Sequence, residues 1–265
     1  MIVTSTANPA IKRLVRLRER RERDRTGEFL IEGTRELQRA FECGVDITDV
    51  FSCPELHRPP TTALVAALER KGLPVTETSL APFEKASGRQ GPDGVLAVAN
   101  QARVDLESLE IGDAPLVIVT DAIEKPGNLG ALVRSAAAAG AAAMVVTGTG
   151  TDVYNPGVIR SSQGTVFSLP VATCAGGEAK AWLEAHELTI RPADPDASFT
   201  CWEADLTGGV ALVIGSEARG LSADWVGLPG AVSIPMAGIG DSLNASAAGA
   251  VLLFEAARQR ALRLS

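Results

Sequence analysis

Continuous apolar strands, each followed by a helical stretch, predict an α/β protein whose C-terminal part is a parallel sheet covered on both faces. The runs PLVIVT at 115–120, AAAMVV at 141–146 and GVALVIG at 209–215 carry no polar alternation, so neither face of such strands meets water. A polar, acidic segment, NQARVDLESLEIGDA at 100–114, precedes them without a strong period and reads as a linker. With 265 residues the chain is long enough for two domains, placed at 1–102 and 115–265 with the linker at 103–114.

The N-terminal part reads as a smaller α/β unit. Asn8 followed by Pro9 is an N-cap with proline at the first helical position, and opens a helix expected to run through about Arg25. Ile11, Leu14 and Val15 are its apolar stripe, whereas RERRERDR beyond Leu17 has no apolar face. That end is either a solvated helix laced with i,i+4 ion pairs or an arm for phosphates. Strand FLI at 29–31, a helix over 34–43 and strand DVF at 49–51 follow. A helix over 62–71, strand PVTE, a helix over 80–86 and strand VLAVA at 95–99 complete the unit. In the C-terminal part, helices are expected over 129–139, 157–162 and 178–186, with a further strand at TVFSL, 165–169.

Composition excludes several classes. No apolar run reaches the ~18 residues of a membrane span, and the N-terminus lacks a signal-peptide core, so a cytoplasmic protein is expected. Cys43, Cys53, Cys174 and Cys201 lack the spacing of a zinc site or a disulfide framework. The two histidines, His57 and His186, stand outside any cluster, so no metal site is expected. The net charge of −7 is unevenly spread: residues 12–25 carry eight basic and three acidic side chains, leaving −12 elsewhere.

Three loops carry the chemistry, each at the end of an expected strand, where open α/β sheets bind ligands. KPGNLGALVRSAAAAG at 125–140 places Asn128 at a helix mouth and Arg134 six residues on, readable as a cap and a surface ion-pair partner or as ligand contacts. GSEARG at 215–220 has glycines at both ends and Glu217 between them. SIPMAGIGDSLNASAAGAVLLFEAAR at 233–258 reads as a strand broken at Pro235, a glycine loop, and a helix whose first polar residues are Ser242 and Asn244. Unpaired amides and the helix dipole make that junction a place to hold a polar ligand, although either residue also serves as a plain cap.

In order and spacing, these three stretches closely resemble the three motifs of the SpoU-type (TrmH-like) RNA ribose 2′-O-methyltransferases of the SPOUT superfamily. GEFLIEGTRELQRAFECGV and GPDGVLAVA resemble the RNA substrate-binding domain that precedes the catalytic domain in many members. The resemblance implies a C-terminal domain with a deep trefoil knot, S-adenosylmethionine as cofactor, and a homodimer with its active site at the subunit interface. None of this follows from periodicity, and topology rules alone would give a simple doubly wound sheet. By motif match, Asn128, Arg134, Glu217, Ser242 and Asn244 are the catalytic candidates. Ile214, Gly215, Ile234, Met236 and Leu243 would line the cofactor. Ala218 and Ala245 depart from the usual glycine and valine without removing a functional side chain. With this resemblance, the basic end of the first helix, Arg16, Arg20, Arg21, Arg23 and Arg25, is expected to contact RNA phosphates.

The expected substrate is 23S ribosomal RNA, with transfer RNA as the alternative; a catalytically silent RNA-binding protein is the competing class. Residues 240–243 also spell GDSL, the nucleophile motif of a family of ester hydrolases, but no histidine follows Ser242. A dinucleotide-binding dehydrogenase is disfavoured because GTG at 148–150 is not continued into a full glycine fingerprint.

Overall fold

The computed structural model describes residues 2–263. Two compact units divide the chain: one holds the residues up to Ala102 together with Asp152–Ser168, and the other holds Arg103–Thr151 and the chain from Leu169 onward.

In the first unit, α1 (Pro9–Arg16) starts on Asn8, whose side-chain oxygen accepts the Ala10 N–H at 2.8 Å. The helix does not run on to Arg25 as expected. It stops at Leu17, and a separate α2 (Arg20–Thr26) follows. Leu17 is fully buried, and Arg23 folds back to donate to the carbonyls of Leu17 at 3.0 Å and Arg18 at 2.7 Å. A side chain thus takes the carbonyls that a continuous helix would give to later amides. The unit continues with β1 (Glu28–Glu32), α3 (Thr34–Glu42), β2 (Ile47–Ser52), α4 (Pro59–Arg70), β3 (Val75–Glu77), α5 (Leu80–Ala86) and β4 (Val95–Asn100). Its sheet has the order β1-β4-β2-β3, with β4 antiparallel to both neighbours and β2 parallel to β3. Ile11, Leu14 and Leu17 pack on Leu30, Phe51 and Leu96 to form the core on one face.

The second unit opens with β5 (Leu116–Asp121), α6 (Pro126–Ala138) and β6 (Ala143–Thr147). The excursion Asp152–Ser168 then belongs to the first unit and contains α7 (Pro156–Ser161). TVFSL, expected as a strand, is instead a 3-10 turn over Thr165–Phe167. The chain leaves the preceding helix through Gln163 at φ 55° and Gly164 at φ 80°, and the Thr165 hydroxyl donates to the Ser162 carbonyl at 2.8 Å, which winds the chain. Its apolar side chains serve packing: the Phe167 and Phe29 rings lie 6.0 Å apart.

Back in the second unit come β7 (Val171–Cys174), α8 (Gly176–Ala185), β8 (Thr189–Pro192), β9 (Val210–Ile214) and α9 (Ala245–Arg263). The five strands are all parallel in the order β7-β6-β5-β9-β8. The expected strand at Ser233 is reduced to single bridges, Ala193 with Val232 and Thr200 with Ser233. Pro235 lacks the amide that a longer ladder would need. On one side α9 lies close to α6, and a Cβ on Gly249 would come within 2.2 Å of Leu132 Cδ2. Arg260 fastens the far end of α9: its guanidinium donates to Leu206 O at 3.1 Å, Ala114 O at 2.7 Å, and the carbonyls of Pro115 and Gly208. Among the described residues no helix is long and apolar enough to cross a membrane.

Candidate active site

The turn after β9 is built by close backbone contact. A Cβ on Gly215 would lie 2.4 Å from the carbonyl carbon of Gly220, so only glycine fits there. Ser216 and Gly220 exchange backbone hydrogen bonds at 3.0 and 2.9 Å, which projects Glu217 from the exposed tip. Asp121, the last residue of β5, anchors the far side of this turn. Its buried carboxylate accepts the Ser222 N–H at 2.7 Å and the Thr147 hydroxyl at 3.2 Å. An exposed ion pair, Arg219 with Glu124 at 2.6 Å, joins the same turn to the loop after β5.

Against this turn lies a cavity of about 200 Å³. All five residues expected around the cofactor, Ile214, Gly215, Ile234, Met236 and Leu243, line it, and so do Glu217 and Ser242. Val232, Ala245 and Ala248 extend its apolar wall, while Asp194 and Asp241 add carboxylates that the sequence does not single out. Asp194 sits in ADPDAS, a run of turn-forming residues where an aspartate carries no distinguishing signal; Asp121 is hidden at the end of an apolar run. An apolar cavity with a few convergent polar groups is the usual form of a small-molecule site.

Asn244 and Asn128 meet beside it. The Asn244 side-chain amide donates to Asn128 Oδ1 at 3.3 Å, while its own Oδ1 accepts from the Ser246 amide at 3.0 Å and the Ser246 hydroxyl at 2.7 Å. Asn244 therefore caps α9 and reaches α6 at once. Asn128 Nδ2 is buried without a hydrogen-bond partner among the described residues. Arg134 stands apart from this group. It lies on the exposed side of α6, is absent from the cavity lining, and has no ion-pair partner among the described residues.

In the first unit, Arg16, Arg20, Arg21 and Arg25 are exposed on or beside α2, where Arg20 pairs with Asp24 at 3.5 Å, and Arg16 and Arg25 with Glu22 at 3.4 and 2.8 Å. Arg23 departs from the expected phosphate contact. It is 1% exposed, bound to Asp152 through Nη2 at 2.6 Å and Nε at 3.2 Å, and its remaining donors hold the α1–α2 break. A guanidinium spent in this way has no free edge for RNA, so Arg23 is a structural residue.

Both histidines are engaged elsewhere. His57 contacts the Ser52 hydroxyl at 3.1 Å, and the His186 ring lies 4.4 Å from that of Trp182. Neither lines the Ser242 cavity, so an ester-hydrolase triad has no base. Among the described residues no group of acidic, cysteine or histidine side chains is arranged to hold a metal ion.

Glycine turns after parallel strands, a cavity against them and an amide pair at its rim define a cofactor-binding α/β enzyme. Residues 115–254 match the model of the SpoU rRNA Methylase family, and residues 8–97 match the MRM3-like substrate binding domain. The chain belongs to the SpoU rRNA methylase family. It is 34% identical over 254 residues to a 23S rRNA (uridine(2479)-2'-O)-methyltransferase of Streptomyces viridochromogenes, covering 92% of this chain and 87% of that protein. Among solved structures it is similar to an RNA 2'-O ribose methyltransferase, with TM-score 0.87, 43% identity, and 98% of this chain and 100% of that one covered. It is also similar to the SpoU methyltransferase AviRb of Streptomyces viridochromogenes in complex with AdoMet, with TM-score 0.85, 31% identity, and 96% and 98% covered.

Proposed function

We propose that this protein transfers a methyl group from S-adenosylmethionine to a ribose 2′-hydroxyl of 23S ribosomal RNA. The observation that carries this reading is a cavity lined by Glu217, Ser242 and all five expected cofactor residues, with Asn244, which bonds to Asn128, set in the chain between the lining residues Leu243 and Ala245. The relatives supply the substrate class: they are named as 23S ribosomal RNA 2'-O-methyltransferases, and one is solved with AdoMet.

The residues present fit that cofactor. Ile214, Ile234 and Leu243 offer apolar walls for a flat base, and the carboxylates of Asp194, Glu217 and Asp241 suit hydroxyl and ammonium donors. When bound, S-adenosylmethionine supplies an electrophilic methyl group on a sulfonium. The protein's part is alignment and charge. Asn128, Ser242 and Asn244 orient the ribose, and Glu217 guards the mouth of the cavity. Arg134 holds a target phosphate and stabilises the 2′-oxygen as its proton passes to solvent water. A guanidinium stays protonated at working pH, which makes Arg134 an electrostatic clamp rather than a base.

The exposed position of Arg134 has a natural explanation in a homodimer, where it completes the site of a second copy. Apolar surface is available for such a contact: Met236, Ile239 and Leu243 on the loop before α9, and Val251 and Phe254 on α9, are all exposed. The loops at 215–220 and 235–244 would be threaded as the trefoil knot typical of the family. The enzyme would act in the cytoplasm, and Arg16, Arg20, Arg21 and Arg25 would meet RNA phosphates.

The test is incubation of purified protein with methyl-labelled S-adenosylmethionine and unmodified 23S ribosomal RNA or transfer RNA, followed by mapping of labelled ribose. Label at a single 23S ribose is the expected result. Label on transfer RNA would move the substrate, and no label on either would leave an RNA-binding protein without catalysis.

A further inference from the structure

Asp194 lies two residues beyond the end of β8, at the edge of the cavity farthest from the Asn128 side of the sheet. Its backbone is fixed, since the Asp194 amide donates to Val232 O at 3.0 Å and the preceding residue, Ala193, bridges to Val232. Its side chain is fixed as well: Oδ1 accepts the Asp196 amide at 2.9 Å in a local turn. The second oxygen, Oδ2, has no hydrogen-bond partner among the described residues. A carboxylate oriented in this way keeps most of its acceptor capacity for whatever enters the cavity.

The other polar groups of the cavity are differently placed. Ser216 is closed into its own turn, while Glu217, Asp241 and Ser242 belong to the two loops nearest the Asn128–Asn244 pair. In the cofactor reading the reacting end would face the Asn128–Asn244 pair, at the mouth of the helix that follows β5. Adjacent strands lie ~4.8 Å apart, so the β8 end is roughly 10 Å from the β5 end. The nucleoside part would then lie toward Asp194. Its only vicinal donor pair is the ribose diol, and a carboxylate beyond the end of a parallel strand is well suited to grip such a pair.

We infer that Asp194 accepts hydrogen bonds from the ribose hydroxyls of the bound S-adenosyl cofactor and selects a ribonucleoside there. The inference rests on the cofactor reading proposed above and adds a specificity residue to it. Charge-assisted hydrogen bonds of this kind change affinity by about tenfold to a hundredfold.

The experiment is calorimetric titration of the 265-residue protein with S-adenosylhomocysteine and with its 2′,3′-dideoxy analogue, without RNA. In the wild type the natural compound should bind about tenfold to a hundredfold more tightly. In Asp194→Ala that preference should vanish, through weaker binding of S-adenosylhomocysteine with the dideoxy affinity kept. Asp194→Asn, which retains an acceptor and the local turn, should fall between the two. Equal losses for both ligands would make Asp194 merely structural and overturn the inference, as would an unchanged preference in Asp194→Ala. Wild-type protein that binds neither ligand would remove the cofactor reading itself and this inference with it.

Discussion

The Asn244 side chain donates to Asn128 Oδ1 at 3.3 Å, joining the first turn of α6 to the cap of α9 across 116 residues of sequence. Asn244→Ala removes both the cap and this bridge. The cap is worth about 1 kcal/mol, a loss that a melting curve resolves. Methyl transfer should fall further, by about a hundredfold, because orientation of the ribose is lost. Asn128→Ala should lower transfer similarly without the cap penalty, and the two changes together should cost less than their product, since they act on one hydrogen bond.

A shared active site has a signature in mixed dimers. Arg134→Ala and Ser242→Ala should each abolish transfer alone. Refolded together, half of the dimers proposed above would carry both changes, and if Arg134 serves the opposite copy, one of their two sites is whole. Roughly a quarter of wild-type activity should return. No recovery would place Arg134 and Ser242 in the same copy's site. Arg134→Lys, which keeps charge but loses the planar fork, should retain only part of the turnover.

The arginines of the first unit separate by burial. Neutralising Arg16, Arg20, Arg21 and Arg25 should reduce the slope of log RNA affinity against log salt, by about 0.7–0.9 for each phosphate that is no longer neutralised. Folding stability should barely change, because exposed ion pairs contribute little. Arg23→Ala should behave in the opposite way. It leaves Asp152 unpaired beside two uncapped carbonyls and should cost about 3–5 kcal/mol in a urea titration.

Cys174 should be a sluggish thiol. Burial, and secondarily the nearby Glu178 carboxylate, push its pKa up to about 11. At pH 8 only about one molecule in a thousand carries the thiolate. Iodoacetamide followed by peptide mass spectrometry should therefore modify exposed Cys43 first, with Cys174 labelling rising about tenfold per pH unit toward its pKa.

The central strands and the candidate loops that follow them are more legible in the sequence than the edges of the sheet. PLVIVT, AAAMVV and GVALVIG are buried on both faces, and their unbroken apolarity reveals them. β7 and β8, at the two edges, have four residues each with mixed burial, so neither periodicity nor length distinguishes them. TVFSL misleads for the converse reason, as its apolar residues pack from a 3-10 turn. The break between α1 and α2 depends on where Arg23 finds Asp152, a partner 129 residues away that no local pattern contains. Likewise, Asn128 and Glu217 stand out because glycine loops mark strand ends, whereas Asp194 lacks such a marker until Val232 is known to lie beside it.

Arg260 makes the order of assembly a consequence of the fold. The carbonyl of Ala114, at the threshold of the first parallel strand, is met by a guanidinium 146 residues later. During synthesis that carbonyl must remain solvated until α9 has emerged. Closure across so long a stretch of chain is slow, and the first unit should become resistant to protease well before the second.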